Sequence, residues 1–200
     1  IFNYFDNGQG SAFRQAKNNA KILRYGENPH QKGVFYGRFD EMFDQLQGKE
    51  ISYNNLLDID AAVSLIGDFD ELTFAILKHN NACGIASRPT LIEAWKAALA
   101  GDPVSAFGGV LITNGAVDKE TAEEINKLFF EVIIAPDYDM GALEVLTQKK
   151  NRIILVQKEM PASKRQFRSL LNGVLMQERD THIEKPEELQ QVTEKTDCPL

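Results

Sequence analysis

Residues 109–156 read GVLITNGAVDKETAEEINKLFFEVIIAPDYDMGALEVLTQKKNRIILV. Three runs in this stretch, 109–113, 132–135 and 152–156, are almost continuously apolar. A strand covered on both faces loses the apolar/polar alternation and reads in just this way. Between the runs, residues 118–128 and 139–148 have the length and polarity of short helices. Apolar strands alternating with helices of that size predict a layered α/β sheet.

Working outward, residues 72–77 form a further buried run, and 89–100 a helix that starts near Pro89 or Thr90 and stops at Gly101. Leu56, Ile59, Val63 and Ile66 recur at intervals of three and four, which predicts a helix over 54–66. Asn54 or Asn55 would cap its start and Gly67 its end. Met42, Phe43 and Leu46 suggest helical spacing over 40–47, and 33–36 a short strand. After Met160-Pro161 the pattern changes: 166–178 reads as two strands interrupted at Asn172-Gly173. From Arg179 the chain is polar and charged, with Pro186 and Pro199, and reads as a linker. Residues 1–20 show no sustained periodicity and lack a starting Met, so chain already in progress is expected there.

Composition narrows the function classes. The chain has 200 residues, 43% hydrophobic and 26% charged, ordinary proportions for a globular protein. Lys and Arg total 22 against 29 Asp and Glu, a net charge of −7. That balance opposes broad nucleic-acid binding, which needs clustered cations. Lys149-Lys150 with Arg152, and Lys164-Arg165 with Arg168, are too short to reverse it. One Arg and a few N–H groups can still hold a small anion. No apolar run is long enough for a membrane helix. Cys83 and Cys198 are distant and unpatterned, which suggests free thiols in a reducing compartment.

In open α/β sheets, ligands collect at the carboxyl ends of strands. Directly after 72–77 comes Lys78-His79-Asn80-Asn81-Ala82-Cys83-Gly84. Taken singly, His79 reads as a satisfied polar residue and Lys78 as a solvated one; in succession with two amides they read as a site. Alternation aims Lys78 and His79 at opposite faces, so both serve one site only if the strand breaks at about Lys78. A second segment, Asp102-Pro103-Val104-Ser105-Ala106-Phe107-Gly108-Gly109, is either a tight helix-to-strand loop or a close backbone approach whose N–H groups cradle an anion. Phe107 is core or a platform for a flat ring. In the third, Leu23-Arg24-Tyr25-Gly26-Glu27-Asn28-Pro29-His30-Gln31, Arg24 offers a planar fork suited to phosphate. Glu131, ahead of Val132-Ile133-Ile134-Ala135-Pro136, is a fourth candidate that sequence alone does not separate from a surface carboxylate.

Other chemistries lack their residues. His30, His79 and His182 with two distant cysteines do not give the spacing of a hydrolytic zinc site. Neither a Walker loop nor Gly-x-Gly-x-x-Gly is present. Cys83 as a nucleophile has His79 nearby but no identifiable third group to orient it.

In their order along the chain, the segments at 23–31, 78–84 and 102–109, with 131–136, resemble the bifunctional purine biosynthesis family, in its AICAR formyltransferase domain. The resemblance covers about residues 1–180. It implies formyl transfer from 10-formyltetrahydrofolate, as co-substrate, to the 5-amino group of AICAR, giving FAICAR, in a parent that also carries IMP cyclohydrolase activity. By similarity His79 is the proton acceptor and Lys78 the transition-state stabiliser or proton partner. Arg24 and Tyr25 match positions that hold AICAR, Gly108 a backbone contact to it, and Glu131 an acid that binds its amine or carboxamide. Phe107 and Val104 match the approach to the folate. No metal is implied.

The implied fold is three-layer α/β/α with a mixed sheet, cytidine-deaminase-like, in a cytoplasmic homodimer that binds neither nucleic acid nor membrane. Residues 1–20 would follow a cyclohydrolase domain, 21–180 would be the first half of the formyltransferase domain, and 181–200 a linker or the start of a second half. The chain departs from the family at Asn81-Ala82-Cys83-Gly84, where Asn-Pro-Cys-Gly is frequent. Two other readings compete: a non-catalytic module that binds a phosphorylated purine precursor or a partner subunit, and a zinc deaminase suggested by fold analogy alone, which the ligand count opposes.

Overall fold

The computed structural model describes residues 19–158 and 165–180, with residues 17, 182, 188 and 190. The readings of residues 1–16, Met160-Pro161, Lys164, Cys198 and most of the 181–200 tail lie outside the described residues. Two compact units are present, one within Arg14–Met160 and one that includes Pro161–Leu200. The expected segment 21–180 therefore runs across the division between them.

In the first unit the order is β1 (Ala20–Ile22), β2 (Val34–Tyr36), a 3₁₀ turn (Phe39–Glu41), β3 (Phe43–Gln47), α1 (Tyr53–Ile66), β4 (Thr73–Lys78), β5 (Asn81–Ser87), α2 (Leu91–Gly101), β6 (Val110–Thr113), α3 (Lys119–Ile125), β7 (Val132–Ala135), α4 (Met140–Leu146) and β8 (Ile153–Gln157). The second unit holds the antiparallel hairpin of β9 (Arg165–Leu170) and β10 (Gly173–Glu178). It turns at Leu171-Asn172, so the predicted strand pair is present.

A mixed six-stranded sheet runs in the order β3-β8-β7-β6-β4-β5. β6, β7 and β8 are parallel, joined through α3 and α4; β3 and β4 run against them. Alternate side chains of the central strands enter two cores, as a period of two requires. Phe74, Ile76, Leu111, Ile133 and Ile154 meet Trp95, Ala122, Ile125 and Leu146 from α2, α3 and α4. Ala75, Leu77, Ile112, Ile134 and Leu155 meet Ile59, Ala62 and Ile66 of α1 on the other face. The unit is thus an α/β protein with helices on both sides of a mixed sheet. Trp95 and Phe74 meet edge-to-face, 5.1 Å between centroids, and neither is accessible beyond 1%.

Two local expectations are corrected. Residues 43–47 form edge strand β3 rather than a helix, antiparallel to β8 with a bulge between Gln45 and Gln47. One flank of an edge strand faces water, so only Phe43 is buried there and Leu46 stays 48% exposed; alternation is then too weak to oppose the helical spacing. Helix α1 is capped by Ser52, not Asn54 or Asn55, and Asn55 completes a capping box from its third position. Residues 81–87, for which the sequence predicts no element, form strand β5. Ala82, the departure from the family pattern, sits in that strand opposite Leu77, and a register shift beside it leaves Cys83 without an opposite residue.

Candidate active site

Because β4 runs against β6 and β7, its carboxyl end lies at the amino ends of those two strands, with Leu77 opposite Val110 and Val110 beside Val132. Lys78 ends one strand while Gly108 and Glu131 precede the others, and all meet at one edge of the sheet. Of the three polar segments expected at carboxyl ends, 78–84 begins at the end of β4 and 23–31 follows β1, whereas 102–109 is corrected: it precedes β6 and so stands at an amino end. A cavity of about 430 Å³ opens there, lined by Arg24, Tyr25, Lys78, His79, Gly108 and Glu131, and also by Lys49, Asn55 and Asp58. Its size suits a small organic ligand. Val104 and Phe107 are not among its lining residues.

His79 and Asn80 are the two central residues of the β4–β5 hairpin, with φ of 52° and 64°. Positive φ at both positions is what a type I′ turn demands. β4 stays extended to Lys78 and breaks at His79, the condition for both side chains to serve one site. Asp58 of α1 accepts a hydrogen bond from the Asn80 backbone N–H at 2.8 Å and ties the turn to the opposite wall. Lys78 Nζ donates to the Phe107 carbonyl at 2.8 Å.

The 102–109 loop does not behave as an anion cradle. Val104 and Ser105 N–H donate to the Asp102 carboxylate, Ala106 N–H to the Asp102 carbonyl and Phe107 N–H to Val104. Gly108 N–H donates to the Phe129 carbonyl at 2.8 Å and Gly109 N–H to Ala106. Every N–H from 104 to 109 is thus committed internally, and what the loop can offer a ligand is carbonyl oxygen. Gly108 has φ of +76°, which lets the chain fold back. Val104 (83%), Phe107 (58%) and Phe129 (47%) are exposed, with the two rings 5.1 Å apart, and form an apolar ledge beside Lys78's carbonyl partner.

Glu131 is held from two directions. Lys49 Nζ lies 2.9 Å from its Oε2, and Asn55 Nδ2 donates to the same oxygen at 3.2 Å. Burial alone would raise its carboxyl, but the bonds from Lys49 and Asn55 and the Lys49 charge hold it below the ordinary carboxylate value. On the opposite wall the 23–33 loop closes on itself through Leu23 N–H to Gly33 O and Gly26 N–H to Gln31 O. Asn54 Nδ2 fastens it to α1 through the Glu27 carbonyl. Arg24 lies 5.7 Å from the Tyr25 ring centroid. Burial, then Asp102, raises the Cys83 thiol, while Lys78 lowers it, which leaves Cys83 a poor nucleophile. Among the described residues no three His, Cys, Asp or Glu side chains stand close enough to hold a metal ion.

The model of the family described as AICARFT/IMPCHase bienzyme matches residues 1–199. The chain belongs to that bienzyme family. It is 72% identical over 199 residues to the bifunctional purine biosynthesis protein PurH of Bacteroides thetaiotaomicron, covering all of this chain and 39% of that protein. To PurH of Rhodospirillum rubrum it is 47% identical over 184 residues, 88% of this chain and 35% of that protein. To PurH of Chlorobium luteolum it is 45% identical over 184 residues, 86% and 35% respectively. The chain spans less than two fifths of the length of these bienzymes.

Lys49, Asn55 and Asp58 are the site residues of this bienzyme-family chain that sequence reasoning missed. Asn55 and Asp58 are three apart on a correctly predicted helix, so a polar pair on one face near its start was the available signal. Lys49 carries no such signal, because the spacing of the segment before it is helical.

Proposed function

We propose that this chain carries AICAR formyltransferase machinery: transfer of a formyl group from 10-formyltetrahydrofolate to the 5-amino group of AICAR, giving FAICAR, for purine biosynthesis. The observation that carries the reading is that four segments far apart in sequence set Arg24, Tyr25, Lys78, His79, Gly108 and Glu131 around one cavity. Membership of a bienzyme family supports it from a second direction.

The aromatic amine is a poor nucleophile, since its lone pair is delocalised into the imidazole and carboxamide. Its nitrogen attacks the formyl carbon and a C–N bond forms. His79 takes the amine proton, and Lys78, with N–H bonds beyond the one to Phe107, faces the oxyanion. The bond from the formyl carbon to folate N10 then breaks, N10 takes up a proton, and tetrahydrofolate and FAICAR leave. Arg24 holds the phosphate with Tyr25 beside it, Gly108 offers its carbonyl, and Glu131 accepts from the carboxamide or amine. The apolar ledge of Val104 and Phe107 takes the flat ring of the folate. Positioned proton transfer contributes about 10²–10⁴ in rate, and an oxyanion partner about 10²–10³.

The parent protein is proposed to be a cytoplasmic homodimer with IMP cyclohydrolase activity as well, binding neither nucleic acid nor membrane. Among the described residues no helix is long and apolar enough to span a bilayer. The mixed sheet with helices on both faces supports a cytidine-deaminase-like arrangement.

Calorimetric titration of AICAR into this chain and its Arg24→Ala and His79→Ala variants tests the reading. Arg24→Ala is expected to weaken binding by about 1.5–3 kcal/mol, the worth of a charge-assisted hydrogen bond. In the full-length bienzyme, His79→Ala is expected to cut formyl transfer ~10²–10⁴-fold with cyclohydrolase activity intact. Formyl transfer unaffected by His79→Ala, or cyclohydrolase lost in its place, overturns it. AICAR binding without dependence of turnover on His79 would favour a non-catalytic module; a wide separation of Arg24 and His79 would add to that reading, and both line the same cavity.

A further inference from the structure

We propose that Lys49 is a positioning residue that fixes Glu131 as an ionised hydrogen-bond acceptor of one orientation in the cavity wall. The inference deepens the formyltransferase reading, but its geometry stands without it. Lys49 Nζ and Asn55 Nδ2 both bond Oε2 of Glu131, at 2.9 and 3.2 Å, while Oε1 has no partner among the described residues. One oxygen is saturated by the protein; the other is left for an N–H of a ligand.

The two ends of this arrangement are held by backbone. Glu131 N–H donates to the Gly109 carbonyl at 3.0 Å and its carbonyl accepts from Ile153 N–H at 2.9 Å, locking its main chain to two neighbouring strands. Lys49 follows Gly48, whose φ is +113° and whose Cα lies so close to Arg152 and Ile153 that a Cβ would stand 2.5 Å from the Arg152 carbonyl oxygen. Gln45 Nε2 donates to the Lys49 carbonyl at 3.0 Å, closing the turn. A lysine on so constrained a turn loses less freedom on pairing than one on a mobile loop.

The other charges around the cavity are engaged elsewhere or are not paired with Glu131. Asp58 accepts from Asn80, Lys78 donates to Phe107, and Glu50 pairs with Lys21 at 3.5 Å. Arg24 and His79 line the cavity with no described bond to Glu131. Lys49 is therefore the one cation in ion-pair contact with this carboxylate among the described residues. The pair is partly exposed, with 46% of the lysine and 37% of the glutamate side chain accessible. Its worth is at the modest end for ion pairs, and a ligand that uses Glu131 is expected to lose about fivefold in affinity without Lys49.

The test is the titration of the Glu131 side-chain carboxyl carbon by NMR in the ligand-free chain, assigned by its loss in Glu131→Gln. Lys49→Met is expected to move the midpoint upward and Lys49→Arg to restore it. With AICAR as probe, Lys49→Met should weaken binding about fivefold, more so as the pH falls, and Lys49→Arg should bind like the parent. An unmoved midpoint in a folded Lys49→Met overturns the inference, as does an equal loss in Lys49→Arg and Lys49→Met. The midpoint is read without ligand, so a shifted titration in a chain that does not bind AICAR counts against the function proposed above and leaves the role of Lys49 supported.

Discussion

At the scale of single residues, the turn at His79 and Asn80 carries the most backbone strain in the site. Both lie at positive φ with a side chain attached, where L-residues other than Asn, Asp and His are scarce. Asn80→Gly keeps the N–H that Asp58 accepts and relieves one of the two positions. It is expected to leave stability equal or raise it by up to about 1 kcal/mol in urea unfolding, with ligand binding retained. His79→Gly relieves the backbone equally but removes the imidazole, so it separates turn geometry from chemistry. Gly108→Ala makes only ordinary van der Waals contact, with the nearest atom of the Phe129 ring at 3.7 Å, so its cost is conformational, about 1 kcal/mol at φ of +76°. Sequence reading found His79 and Gly108 as residue types. It could not see that the N–H groups around Gly108 were already spent, because those partners depend on how the loop folds.

At the scale of elements, one carboxylate organises two helices. Asp139 caps α4 by accepting from Ala142 N–H, and its other oxygen accepts from Lys119 N–H at the first residue of α3. Asp118 caps α3 separately through Thr121 N–H at 2.7 Å. Asp139→Ala is therefore expected to cost about 2 kcal/mol, and Asp118→Ala about 1, compared by thermal unfolding. Equal losses would show that the Lys119 contact contributes nothing. Arg152 is a second junction: it is buried at 3% accessibility, donates to the Leu146 carbonyl and Asn126 Oδ1 at 3.0 Å each, and lies over the Phe130 ring at 4.1 Å. Burial pushes its guanidinium down to about 10, still charged at neutral pH. Arg152→Ala is expected to destabilise by about 3 kcal/mol or more, since it opens a cavity and strands two acceptors. The central strands were legible as elements because both their faces are buried. Edge strand β3 was not, since its pairing to β8 is decided by a segment more than a hundred residues away.

At the scale of the whole molecule, the Glu131 cluster joins the turn after β3, the start of α1 and the amino end of β7. A carboxyl held below its ordinary value contributes stability that is present above its unfolded value and lost as pH falls through the folded one. Glu131→Gln should therefore flatten the acid side of the stability profile below the ordinary carboxylate range and lower stability at neutral pH. An unchanged acid limb would mean that the cluster does not couple these elements. The apolar ledge of Val104, Phe107 and Phe129 is a feature of the same scale, assembled from two loops by the same strand order.

The sequence by itself determined the class of sheet, most of its strands and helices, and the residue types that gather around the cavity. Those follow from local rules: runs of apolar residues, intervals of three and four, and polar motifs too dense for a turn. Only the tertiary structure decided that β4 runs antiparallel to β6 and so carries Lys78 and His79 to Gly108 and Glu131. It also decided that Lys49 reaches Glu131 across 82 positions of chain. Strand direction and cross-sheet pairing are settled by burial summed over the whole sheet, and no window of sequence contains that sum.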